Sequence, residues 1–358
     1  NVRDMPAYAF IMDVALNEPL LKQFASPVAK LAVEITRVAA PTFADERDVL
    51  MLIKANPGIA ATIVHSSAAA PTMFAAGVVR FITRYQPFPV IPPTIPTIDQ
   101  VFIQTLLNAF IPGVVDLSQP PLQIVASIIA NAPALATAVQ NALTSGGGTD
   151  FGGYLAQFLM YWAPRLADFR FQLTEELSAF SGGSTPPPRL MTPATLDIAA
   201  WLQDSVIDYV PTPLLEQAEL MRLISLIQPA GRAVHGFIGF DPLRMVDDLA
   251  NARSPNALDV VKIAIEQKGF AGVKLYPPMG FQATGNASIT DFPPLPPPYN
   301  ALLPGLGAKL DAALDSLYAY CVAGDVPIMA HCAPSQGTSD KYALRADPAF
   351  WKLVLDKP

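Results

Sequence analysis

Histidine is scarce in this chain of 358 residues, which has three, and cysteine scarcer, with only Cys321 and Cys332. Two cysteines give no disulfide framework and no paired-cysteine zinc spacing. They fit a reducing compartment, so a cytoplasmic location is the expectation. Charge is thin at 15%, and it leans acidic, with 23 Lys plus Arg against 30 Asp plus Glu and a net charge of −7. No basic patch stands out, which argues against a nucleic-acid partner. No glycine-rich loop follows a strand-like run, which counts against a dinucleotide fold. The opening "NVRDMPAYAF" is neither a basic leader nor an apolar signal core. It reads as the interior of a longer protein, and the end at Pro358 reads as a second cut.

What the chain has instead is apolar mass. Hydrophobic residues reach 51%, above the average for a soluble domain. Residues 1 to about 185 carry few strand signals. Residues 19–39 place apolar side chains at helical spacing, and 45–58 read as a helix with an acidic first turn that stops at Pro57-Gly58. The stretch "PLQIVASIIANAPALATAVQNAL" (121–143) is Ala-rich and holds Gln123, Asn131, Pro133, Gln140 and Asn141. A spanning helix would have to hide those polar groups. A buried helical hairpin is therefore favoured over membrane contact. The proline run in "STPPPRL" (184–190) marks a joint. The organisation expected is a helical region, 1–185, and a second domain, 186–358.

After that joint the pattern alternates. Strand-like runs begin at 189, 233, 270 and 326, and amphipathic helices fall at 211–228, 254–269, 305–325 and 345–357. Apolar strands alternating with helices predict an α/β fold with a parallel sheet covered on both faces. Each strand ends in polar or special residues: Asp197, Asp241, Lys274 with Tyr276, and His331. Function gathers at the carboxyl ends of parallel strands in barrels and in open sheets alike.

His331 closes the apolar run "VPIMA". It is either a metal ligand aimed from a strand end, as imidazole commonly is, or a core histidine bonded to a backbone carbonyl. Neighbours on a strand face opposite ways, so Cys332 diverges from His331 and is expected to be buried packing. His235 and Asp241 share parity but lie roughly 20 Å apart at about 3.3 Å per residue, so they cannot serve one site, and His235 reads as structural. His65 sits in an apolar helical run and reads as a core group. Lys274 lies between Val273 and Leu275. An unpaired buried ammonium is expensive, so it must reach a polar site or an acid partner. Lys274 shares parity with Tyr276, and one interior could hold both. Tyr276, Asp241 and Arg244 are the candidate substrate contacts, and the partner expected is a small molecule.

Four blocks together resemble one family. "GFAGVKLYPPMGF" (269–281) and "LDAALDSLYAYCVAGDVPIMAHCAPSQG" (310–337) resemble strands four and five of metal-dependent hydrolases of the amidohydrolase superfamily, in its amidohydrolase-related branch. "HGFIGFDPLR" (235–244) is similar to strand three, and "LMTPATLDIAAWL" with "TPLLEQAELM" to strand two and its helix. The resemblance implies a distorted (β/α)8 TIM-type barrel. This chain would hold strands two to five of it, with residues 1–185 as a large, mostly helical insertion. It implies one or two divalent metals, commonly zinc, with His331 as the strand-five ligand and Lys274 as a bridging lysine. It implies hydrolysis by a metal-activated water, or non-oxidative decarboxylation as in some relatives. A non-catalytic, membrane-associated scaffold is the alternative from outside enzymology. The chain has no HxH pair, and no histidine follows His331. On this reading those ligands lie beyond the chain, which by itself would be inactive.

Overall fold

The computed structural model describes residues 24–39, 41–62, 70–85, 97–110, 112–113, 119–144, 169–172, 174, 188–201, 212–295, 299–333 and 338–357. The chain divides into two compact units. One comprises Asn1–Pro41 and Ala61–Leu173, the other Thr42–Ala60 and Thr174–Pro358.

The regular structure described in the first unit is helical: α1 (Ala25–Ala39), α3 (Ala70–Tyr85), α4 (Ile98–Phe110), α5 (Pro121–Ala130) and α6 (Ala132–Thr144). Spacings of three and four residues place Val28, Leu31 and Ile35 on one buried face of α1, against α3. Gly77 makes that crossing close, because a Cβ there would collide with the Ile35 backbone. Phe102 of α4 seats its ring 5.7 Å from Phe24 and 6.0 Å from Phe81, centroid to centroid. Glu34 is buried at 1% exposure and accepts from Arg37 at 2.7 Å and Arg80 at 3.2 Å. Such pairing is what allows a carboxylate in this core. The apolar stretch at 121–143 breaks at Asn131 into α5 and α6, which pack on each other. No helix among the described residues is long and apolar enough to cross a membrane.

The second unit carries α2 (Phe43–Ala55), α7 (Leu214–Leu226), α8 (Pro242–Ala250), α9 (Ala257–Lys268), α10 (Leu306–Gly324) and α11 (Ala349–Leu355). Its strands are β1 (Leu190–Met191), β2 (Ala233–Val234), β3 (Phe237–Gly239), β4 (Gly272–Leu275) and β5 (Ile328–Ala330). Local chemistry sets the helix ends. Thr42 and Asp45 form a capping box on α2, and Asn256 with Asp259 does the same for α9. Gly269 ends α9 at φ 75°, a left-handed conformation that glycine adopts at no steric cost. Helix α2 packs against α7.

All pairings are parallel. β1 pairs with β2, and β3–β4–β5 form a second sheet in that order. A bridge between Ala194 and Phe237 links the stretch after β1 to β3.

The fold expected from the sequence, an α/β partial (β/α)8 barrel of strands two to five, is overturned. The structure is mostly helical, and among the described residues there are two small parallel sheets, of two and three strands, and no closed barrel. The physical reason lies inside the apolar runs. Pro193, Gly236, Pro277 and Pro327 sit in or beside them. Proline removes a ladder donor, and glycine weakens a strand interior. The assigned strands are two to four residues long, backbone bonds such as that from the Phe237 amide to the Pro193 carbonyl carry the pairing a little past them, and β5 has β4 as its one neighbour among the described residues.

Candidate functional site

β4 alternates as a strand between two environments should. Val273 and Leu275 are fully buried on one face. Lys274 points to the other, and parity places Tyr276 with it. The register sets Lys274 opposite Met329 and Leu275 opposite Ala330. The pairing runs on past the strand, where the His331 amide donates to the Leu275 carbonyl at 3.1 Å. Tyr276 and His331 thus stand side by side at the carboxyl ends of neighbouring parallel strands. Their ring centroids are 4.7 Å apart, and the Lys274 ammonium lies 5.9 Å from the centre of the Tyr276 ring.

His331 is half-buried, and its Nε2 is a buried atom with no hydrogen-bond partner among the described residues. Burial pushes the imidazole pKa below its ordinary value, and the nearby Lys274 charge adds to the effect. A backbone hydrogen bond with Ala333 opposes both. Lys274 is lowered as well, chiefly by burial, with the Cys332 thiol acting the other way. It has no hydrogen bond or ion pair among the described residues. Two basic nitrogens are thus brought together with no carboxylate paired to either among the described residues. Both are displaced toward their neutral forms, which are bases and nucleophiles.

A second polar cluster forms where β3 gives way to α8. Asp241 is 1% exposed and caps α8, its Oδ1 accepting from the Leu243 amide at 2.9 Å and from Trp201 Nε1 at 2.8 Å. Its Oδ2 is buried without a hydrogen-bond partner among the described residues. Burial raises its pKa well above the ordinary carboxylate value, and the neighbouring Asp197 raises it further; the Trp201 and Leu243 bonds pull the other way. Asp197 pairs with Arg244 Nε at 2.6 Å. Asp248 stands 3.9 Å from the other end of that guanidinium.

The residues singled out in the sequence therefore fall into two groups. Lys274, Tyr276 and His331 share one face. Asp241 and Arg244 belong to the buried cluster, where Arg244 is committed to Asp197. His235 bonds the Gly269 carbonyl through Nδ1 at 2.9 Å, and His65 lies outside the described residues. Cys332, expected to be buried, is exposed. The sheet ends at Ala330, two residues before the thiol. Sequence reading missed Trp201, Thr195 and Asp248. Thr195 Oγ1 accepts from the Gly239 amide at 2.9 Å. The one signal for Trp201 was chemical: a buried indole N–H has to find an acceptor.

The orphaned Nε2 of His331 suits one position on a metal. A zinc-type site needs about three protein ligands. Among the described residues no group of three His, Cys, Asp or Glu lies close enough to share an ion. The charged neighbour of His331 is the cationic Lys274, which repels a dication. These residues do not make a metal site by themselves.

Comparison of the chain with protein-family models, curated proteins and solved structures found no match. The functional reading rests on the residues alone.

Proposed function

We propose that the second unit is a small-molecule hydrolase whose reacting groups are His331 and Lys274. Hydrolysis is also the class implied by the resemblance of residues 269–281 and 310–337. The observation that carries the reading is the placement of an imidazole nitrogen and an ammonium that have no hydrogen-bond or ion-pair partner among the described residues. They lie on one face, at the carboxyl ends of two adjacent parallel strands.

The roles follow from charge. Neutral His331 accepts a proton at Nε2 from a water whose oxygen adds to an ester or amide carbonyl. Lys274, in its charged form, stands where the carbonyl oxygen becomes an oxyanion. The imidazolium then returns the proton to the leaving oxygen or nitrogen as that bond breaks. The Tyr276 ring fixes the plane of the imidazole. A divalent metal, if one binds, would find a single imidazole ligand here and would supply Lewis acidity, and no step above depends on it.

The test is a panel of nitrophenyl esters and anilides, with CO2 release from aromatic carboxylic acids measured in parallel. Loss of a general base costs about 10²–10⁴-fold in rate, and His331→Ala is expected to fall in that range. Full hydrolytic activity in His331→Ala would sink the assignment. CO2 release without hydrolysis would replace it with decarboxylation.

A further inference from the structure

The same pair of residues supports a second reaction that hydrolysis does not use. We propose that Lys274 forms a Schiff base with small carbonyl compounds, aldehydes or 2-oxo acids, and that His331 Nε2 serves as its proton shuttle. An amine can attack a carbonyl only when its nitrogen is not held in a salt bridge, and Lys274 has no hydrogen bond or ion pair among the described residues. It is half-buried in a strand whose flanking residues, Val273 and Leu275, are fully buried. That setting partly desolvates the amine, which is how lysine nucleophiles are activated. A proton carrier is also required, and the buried, unpartnered Nε2 of His331 stands on the next strand over. Among the described residues, Tyr276 and the exposed Cys332 are the other titratable groups beside Lys274.

The steps balance. Lys274 Nζ adds to the carbonyl carbon, a C–N bond forms, and the C=O electron pair moves to oxygen. His331 carries one proton from nitrogen to that oxygen. The hydroxyl takes a second proton from solvent and leaves as water, and an iminium ion remains. The proposal shares residues with the hydrolytic reading but not its chemistry, so the two can fail separately.

The experiment is reductive trapping of the whole protein with pyruvate and sodium cyanoborohydride, followed by peptide mapping. The reagent delivers hydride to the iminium carbon and makes the adduct permanent. In the unaltered protein the label is expected first at Lys274, ahead of exposed lysines such as Lys54 and Lys352. Lys274→Arg, which keeps the charge, should lose that label, and His331→Asn should slow it about a hundredfold. Mapping of the unaltered protein locates the adduct even if a variant folds poorly. No adduct at Lys274, or labelling spread evenly over the lysines, overturns the Schiff base. Labelling of Lys274 at full rate in His331→Asn overturns the shuttle role.

Discussion

The rings of Tyr276 and His331 lie 4.7 Å apart between centroids, with planes 34° from parallel, at matching positions on two adjacent parallel strands. This stack shields one side of the imidazole, while Lys274 adds charge nearby. Burial is the larger influence on His331 and the lysine charge the smaller.

Lys274→Met should therefore raise the His331 titration midpoint, but only part of the way to the ordinary value. Imidazole proton NMR against pH measures this directly. A midpoint that does not move would show that the two side chains do not sense each other.

The lowered pKa of His331 has a consequence for stability. The unfolded chain, with a histidine pKa of about 6.5, binds the proton more readily than the folded one does. The contribution of His331 to stability is then present above about pH 6.5 and is lost as pH falls through the lower folded value. Urea unfolding from pH 7.5 down to 5 should show that loss, and His331→Asn should flatten the profile over this window. An unchanged profile in the variant would place the pH dependence elsewhere.

Asp241 has the opposite sign. Its raised pKa means that its contribution is complete below about pH 3.9, the unfolded carboxylate value, and is lost as pH rises through the folded value. Asp241→Asn keeps an Oδ1 for Trp201 and Leu243 and presents an amide donor in place of the unpartnered Oδ2. This variant should match or exceed the parent in stability at pH 7. Asp241→Ala removes the α8 cap, worth about 1 kcal/mol. It also strands the Trp201 N–H, at about 1–3 kcal/mol. Chemical denaturation of the two variants checks the order, and an alanine variant as stable as the asparagine one would contradict it.

In the first unit, Gly77→Ala should destabilise by about 1–3 kcal/mol, the usual cost of overpacking. The added methyl meets the Ile35 backbone, which cannot rotate aside as a side chain would. Thermal and urea unfolding should both register the loss. A neutral result would mean that α1 and α3 can separate slightly without penalty.

Much of the local structure was legible in the residues. The periodicity of 25–39, the acidic first turn near Asp45, and the Gly269 stop each depend on neighbours within one or two turns. The parity that unites Lys274 with Tyr276 is a property of the extended chain itself; the expected divergence of Cys332 from His331 does not hold, because both follow the end of β5 and the thiol acts on Lys274. A continuous apolar run, by contrast, does not disclose how much of it will pair. That depends on which donors meet acceptors across strands, and Pro193, Pro277 and Pro327 can accept there but cannot donate.

The sequence by itself determined the helices, the order of the strands and the side of the strand on which each candidate side chain lies. These follow from backbone sterics and from periodicities of a few residues. Only the tertiary structure decided that the strands make two short sheets and not a barrel. It also decided that Arg244 pairs with Asp197, that Trp201 holds Asp241, and that Lys274 and His331 stand together with no counter-charge among the described residues. Each of these depends on residues tens of positions apart reaching hydrogen-bonding or Coulombic range, and no local pattern encodes that distance.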